Sequence, residues 1–417
     1  MQQEKTPSTI SFGSELLQLL LPTQSVALEV RDVPMEITPA IFSERLNIFF
    51  RENPQDLARP VLVVADKTRL CGYPQYLPLL IDGLKEHGMD ETKLKIVIAY
   101  GTHPRQSDAE CMGAYGEVYG RHTFIHHDCR EEHAFVDLGV TARNTPVRFR
   151  KDLAGASSII TMGAITHHYF AGYGGGRKLV FPGCGEKESI YANHSLFLDS
   201  RGGTLSPGCR PGVMDGNPLA EDLFEIEEKL PAHLAIHGIL DAHGHLCDLL
   251  IGRGRESFLQ ACARHGQACE IDSPRFSTVI ASCGGSPKDI NFIQSHKAVH
   301  NAAMFVEDGG LLLVYCECRD GVGSTTFLPW FTKGSFAAAF IELADRYEGN
   351  GGTALAMMTK LQRIRIGLIT SLDDSTCDAI GVTHWTHGEV QAHLAGLPDG
   401  ATVAFIGNAS LVVKKSR

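Results

Sequence analysis

PVLVVADKTRLCGYPQYLPLLIDGLKEHGMDETKLKIVIAYG, residues 60–101, carries the pattern that decides the fold. Pro60–Ala65 is an unbroken apolar run closed by the charge of Asp66, as strands buried on both faces are. YLPLLIDGLKEHG (76–88) spaces its apolar residues along one helical face, and KIVIAYG (95–101) repeats the strand pattern. Strand, helix and strand in succession imply a parallel sheet, whose ligand sites lie beyond the carboxyl ends of the strands. Two polar loops stand there: Asp66-Lys67-Thr68-Arg69 and Gly101-Thr102-His103-Pro104-Arg105.

The same alternation extends in both directions. PAIFSERLNIFFRE (39–52) and DAECMGAYGEVYG (108–120) read as helices, and HTFIHHD (122–128) and SSIITMGAI (157–165) as strands. LAIHGILDAHGHLCDLLIG (234–252) reads as a hairpin turning at His243-Gly244, SFLQACARHGQ (257–267) as a helix, and ACEIDSPRF (268–276) as a linker. FSTVIASCGG (276–285) opens a second series, with helices over 290–306, 336–347, 353–362 and 387–396 and strands over 310–317, 365–371 and 402–407. At 417 residues the chain exceeds one ordinary core. We therefore expect an α/β protein of two domains with largely parallel sheets, 1–270 and 275–399, the tail 400–417 being a candidate to return to the first.

Composition narrows the function. Hydrophobic residues are 43% and charged residues 21%, a globular balance. A formal net charge of -10 and a pI near 6.0 argue against nucleic-acid and anionic-membrane partners. The twelve cysteines are scattered without a Cys-x-x-Cys pair, which favours reduced thiols. The opening MQQEKTPSTISFGSELLQLLLP lacks a basic region and a long apolar core, and its LLQLLLP run is far shorter than a membrane span. A cytoplasmic protein is expected.

Residues 165–194, ITHHYFAGYGGGRKLVFPGCGEKESIYANH, concentrate the chemistry. Gly172, Gly174, Gly175, Gly176, Gly183 and Gly185 contribute little core, and suit either close backbone approach to a ligand or a flexible surface lid. The segment is not a Walker A loop, because Leu179 follows Lys178 where Ser or Thr must meet magnesium. Nor does Gly172-x-Gly174-x-x-Arg177 complete the dinucleotide fingerprint. A nest of N–H groups for a mononucleotide phosphate stays open. His167 and His168 are neighbours in extended backbone, so only one faces a given site. Histidine serves as base or metal ligand, and one residue alone does not say which. His126, His127, His233, His237, His243, His245 and His300 are read as structural or surface residues. Asp66 and Arg69 form either a plain salt bridge or part of the crevice. Gln294 and Lys297 share a helix face, either solvated or set to hold a carboxylate.

In order and spacing these clusters carry a resemblance. Asp66-x-x-Arg69, Gly101-x-His103-Pro104, His168 before Ala171-Gly172-x-Gly174-Gly175-Gly176-x-Lys178, Pro182-Gly183, Asn193-His194, Pro287-Lys288-Asp289 and Gln294-x-x-Lys297 follow one another over nearly the full length. The chain resembles the nickel-pincer lactate racemases and their 2-hydroxyacid racemase and epimerase relatives.

The resemblance implies an isomerase that inverts C2 of a small 2-hydroxy acid by proton-coupled hydride transfer through a 2-keto acid, with its active site in the interdomain cleft. It implies a nickel-pincer nucleotide, a pyridinium-3-thioamide-5-thiocarboxylic acid mononucleotide with nickel, supplied by separate biosynthetic enzymes. Lys178 matches the covalent attachment point, His194 the nickel ligand, and His103 and His168 the paired acid/base residues. Arg69, Gln294 and Lys297 match donors to the carboxylate and hydroxyl, with Asp66 orienting its neighbours. The glycine nest and Arg177 are expected near the cofactor phosphate, and Ile293 and Trp330 are candidates to line a pocket for the substrate side chain. Two other classes compete: an NAD-dependent 2-hydroxyacid dehydrogenase, disfavoured by the missing fingerprint, and a non-catalytic nickel or nucleotide carrier, which has no need of His103, Gln294 and Lys297.

Overall fold

The computed structural model describes residues 5–31, 36–398 and 400–415. The chain forms two compact units: a larger one of Asp32–Leu196 and Gly208–Ala268, and a smaller one of Met1–Arg31, Phe197–Pro207 and Cys269–Arg417.

In the larger unit the apolar run Pro60–Ala65 is a strand, buried at every position. It pairs in parallel with Lys95–Ala99 on one side and Ser158–Ala164 on the other. Phe124–His126 extends the first side, while Leu234–Leu240 and the antiparallel edge strand Leu246–Gly252 extend the second. The chain therefore reverses its direction of sheet growth between Pro60–Ala65 and Ser158–Ala164, which is where an open α/β sheet leaves a crevice.

Local signals explain the helices beside it. In Pro39–Glu52 the Thr38 hydroxyl accepts from Ile41 N–H, Pro39 starts the first turn, and Phe42, Leu46, Phe49 and Phe50 are buried. Ser107 and Glu110 close a reciprocal capping box on Asp108–Tyr115. The single helix expected over 108–120 breaks at Gly116, whose φ of +63° separates Asp108–Tyr115 from Glu117–Arg121.

The smaller unit carries a second six-stranded parallel sheet in the order Thr383–His384, Arg365–Ile369, Val306–Tyr315, Phe276–Ser282, Val403–Ile406 and Val26–Ala27. Two expected boundaries change here. The tail does not return to the first domain, because Val403–Ile406 pairs with Thr278–Ala281. The first 31 residues do not belong with 36–196 either. LLQLLLP lies in the strand Glu15–Pro22, paired antiparallel with Lys5–Phe12, and Leu19 and Leu21 alternate inward onto Ile280, Leu311 and Leu313. All twelve cysteines are buried free thiols. No described helix is long and apolar enough to cross a membrane.

One core residue of this unit has a measurable cost. Lys360 is buried, donating to Ala356 O at 2.7 Å and His296 Nε2 at 3.2 Å, and burial with nearby Arg363 lowers its ammonium pKa to about 7. An unfolded lysine holds its proton to about pH 10.4. Between those values the unfolded chain binds more protons, so stability rises with pH from about 7 toward 10. Lys360→Met is expected to abolish that slope and raise the denaturant midpoint at pH 7, as urea titrations at pH 7 and 9.5 would read.

Candidate active site

The larger unit brings three sequence clusters to adjacent strand ends. Asp66 follows Pro60–Ala65, His103 follows Lys95–Ala99, and Thr166–His168 follows Ser158–Ala164. Asp66 is 2% exposed. Its Oδ1 accepts from Thr68 N–H at 2.7 Å, and its Oδ2 stands 2.6 Å from His103 Nδ1 and 3.7 Å from the Arg69 guanidinium. Burial pushes the carboxyl up, but His103, Arg69 and Thr68 outweigh it and hold the group well below the usual carboxylate range. A carboxylate only accepts, so His103 Nδ1 carries the hydrogen and Nε2 presents a lone pair. The loop bearing His103 is held by Gly101 N–H, which donates to Gly183 O at 2.9 Å and so ties it to the Pro182-Gly183 turn.

The glycine-rich segment folds as a short antiparallel pair, Thr166–His168 with Gly172–Gly174. Its two histidines point apart, as neighbours in a strand must. His167 packs on Tyr173 and His265 with ring centroids at 4.7 and 4.9 Å. His168 packs instead on Phe170 at 4.4 Å, and its Nδ1 accepts from Ala171 N–H at 3.3 Å.

Phe170 proves to be a hub that the sequence reading missed. Lys178 Nζ lies 5.5 Å over its ring, and the His194 ring meets it edge to face at 5.1 Å. His168, Lys178 and His194 thus gather around one buried aromatic side chain. Burial, Lys178 and His103 together lower the His194 pKa to about 3, which keeps the imidazole neutral at physiological pH. The segment holds a clue, since Tyr169 and Phe170 are the large aromatic residues between the histidine pair and the glycines.

The fold itself requires glycine at two of these positions. A Cβ on Gly175 would lie 2.3 Å from Ala164 O, and one on Gly176 would lie 2.4 Å from the Phe258 ring, both at positive φ. Close approach by the protein's own chain accounts for these residues. Arg177 departs from its expected place near a phosphate. Its guanidinium carbon sits 4.2 Å from the Phe224 ring centroid and 4.4 Å from that of Phe258, with no hydrogen-bond partner on any of its nitrogens. The side chain is 2% exposed and turned into the apolar cluster around Phe224, Phe258 and Cys262, because the helix Arg177–Val180 starts with that face inward. It does not present itself to a phosphate.

In the smaller unit Gln294 and Lys297 share a face of the helix Phe292–Ala303, where Lys297 Nζ donates to Gln294 Oε1 at 2.6 Å. The Asn291 side chain caps that helix by accepting from Gln294 N–H at 3.0 Å. Trp330 is 7% exposed within that unit's hydrophobic core, and a Cβ on Gly351 would lie 2.9 Å from its ring. The structure places it as a packing residue rather than as a pocket wall.

A neutral imidazole beside a lysine, both against one aromatic ring, fits a tethered metal cofactor in its donor chemistry. His194 is in the unprotonated form that metal ligation needs. Among the described residues no three His, Cys, Asp or Glu side chains form a metal cage of their own. The fit is to a metal that arrives with other ligands.

Known proteins resemble this chain over most of its length. Residues 14–205 match the family model "Lactate racemase N-terminal domain", and residues 271–355 match "Lactate racemase C-terminal domain". The lactate racemase of Thermoanaerobacterium thermosaccharolyticum is 29% identical over 336 residues, covering 78% of this chain and 77% of that protein. The lactate racemase of Lactiplantibacillus plantarum is 26% identical over 269 residues, covering 64% of this chain and 62% of the relative. Among solved structures, the lactate racemase apoprotein from T. thermosaccharolyticum shares the fold with a TM-score of 0.85 at 21% identity, covering 99% of this chain and all of that one. A Thermotoga maritima protein shares it with a TM-score of 0.69 at 17% identity, covering 91% of this chain and 99% of that one. With both of its domains matched in order, the chain belongs to the lactate racemase family.

Proposed function

We propose that this isomerase inverts C2 of a small 2-hydroxy acid, lactate being the substrate its relatives' names point to, with His103 and His168 as opposed acid/base residues. The observation that carries the reading is the Asp66–His103 pair. A buried carboxylate fixes the imidazole so that Nε2 is an acceptor, and it stabilises the imidazolium formed when Nε2 takes a proton.

In the proposed reaction His103 or His168 accepts the hydroxyl proton of the bound enantiomer as C2 gives up its hydrogen with the bonding pair, leaving a 2-keto acid. Rotation of the carbonyl about the C1–C2 bond presents its oxygen to the other histidine, which returns a proton as the hydrogen returns to the opposite face. One histidine serves each hand. When bound, the nickel-pincer nucleotide supplies the two-electron acceptor and donor for that hydrogen. Lys178 would hold it covalently and His194 would ligate its metal, a soft-donor site completed by one imidazole. Arg69 offers a planar fork, and we assign Gln294 and Lys297 to hold the carboxylate. Phe170, buried against His168, Lys178 and His194, gives that side of the site an apolar wall.

The test is to produce the protein together with the enzymes that make the cofactor, then follow single enantiomers of a panel of 2-hydroxy acids by chiral chromatography. Appearance of the opposite enantiomer without net keto acid supports the proposal. Stoichiometric keto acid coupled to NAD reduction would replace it with a dehydrogenase.

A further inference from the structure

A buried polar network stands directly behind His194. The helix that bears it, Lys187–Ser195, is short and polar, and its only buried residues are Ser189, Ile190 and Asn193. Its N-terminus lacks a side-chain cap. With Ile190 as the one buried aliphatic side chain, apolar packing does little to fix the rotation of this helix about its axis. Asn193 does so instead: its Nδ2 donates to Asp222 Oδ2 at 2.8 Å and, at 3.5 Å, to Leu219 O on the helix Pro218–Lys229.

Asp222 is fully buried, and its three partners are all neutral. Thr141 Oγ1 donates to Oδ1 at 2.6 Å, and Thr145 Oγ1 donates to Oδ2 at 2.8 Å beside the Asn193 amide. A buried carboxylate without a cation is an expensive way to join two helices and a turn. Asn193 adds to the cost, because its own Oδ1 is buried without a partner. Apolar side chains of similar size would pack these helices at lower cost, so stability alone does not account for the pair.

We infer that Asn193 and Asp222 are positioning residues for His194: the carboxylate-to-amide bond locks the rotation of Lys187–Ser195, and with it the direction of the imidazole one residue on. The inference rests on His194 being the nickel ligand. Groups that orient a metal ligand from behind typically change metal affinity by about 10–100-fold when removed. The tether at Lys178 lies on a different helix.

Five proteins made with the cofactor pathway test it: wild type, Asn193→Ala, Asp222→Asn, the exchange pair Asn193→Asp with Asp222→Asn, and His194→Ala. Intact mass reads the Lys178 adduct, and nickel per chain is measured after a chelator challenge. Asn193→Ala and Asp222→Asn are expected to keep the adduct while losing nickel about 10–100-fold more readily, and the exchange pair to recover much of the retention. Wild-type nickel retention in Asn193→Ala would overturn the inference. So would adduct and nickel falling together with the melting temperature, in the exchange pair as in the single variants, which marks a merely structural role. If His194→Ala holds nickel as well as wild type does, the ligand assignment itself fails, and the inference fails with it.

Discussion

Replacing His103 by alanine is expected to lower kcat for racemisation by about 10²–10⁴-fold, the range a positioned general acid or base contributes. The Lys178 adduct should persist in the intact mass, because His103 sits on the loop after Lys95–Ala99 and not on the helix that carries the tether. Asp66→Asn is the companion. An asparagine amide can turn its NH2 toward His103 Nδ1 and so favour the tautomer with hydrogen on Nε2, which leaves no lone pair for the substrate hydroxyl. A loss approaching that of His103→Ala, with KM little changed, is expected from Asp66→Asn. Steady-state rates in both directions check both variants, and an Asp66→Asn enzyme as fast as wild type would remove the carboxylate from the mechanism.

Lys178→Ala is expected to have the largest effect of all. The purified chain should show only its polypeptide mass of 45.4 kDa, and racemisation should fall below detection. A tethered cofactor has an effective concentration set by geometry rather than by supply, so removing the tether loses occupancy and orientation together. Lys178→Arg should behave in the same way, since it keeps the charge over Phe170 but not a primary amine. Full adduct mass in either variant would move the attachment to another residue.

Much of this arrangement could be read from the sequence, for identifiable reasons. Fully buried parallel strands write themselves as apolar runs, so Pro60–Ala65 and Ser158–Ala164 are legible in the sequence, and with them the adjacent strand ends at which Asp66 and Thr166–His168 stand. The Gln294–Lys297 contact followed from helical spacing alone. What escaped depended on partners distant in sequence. The strand Glu15–Pro22 is recognisable only once Ile280, Leu311 and Leu313, more than 250 residues later, are seen to cover Leu19 and Leu21. Arg177 looked like a phosphate ligand because its neighbours are glycines and lysine. Its direction is set by Phe224 and Phe258, which arrive on two later helices. Residue type makes Trp330 a candidate pocket wall, but it says nothing about which face of a core the ring joins. Asp222 gave no signal at all, being one acid in a helix rich in them, PLAEDLFEIEEK.

In the proposed reaction the C2 hydrogen leaves and returns with its bonding electrons, while His103 and His168 handle only the hydroxyl proton. The most direct measurement follows the fate of that hydrogen. An enantiopure 2-hydroxy acid deuterated at C2, incubated in ordinary water with cofactor-loaded enzyme, should racemise with the deuterium still at C2 in both enantiomers, as chiral separation with mass detection would show. Racemised product that has exchanged C2 deuterium for solvent hydrogen would mean that His103 or His168 removes the C2 proton itself, and would rule out hydride transfer.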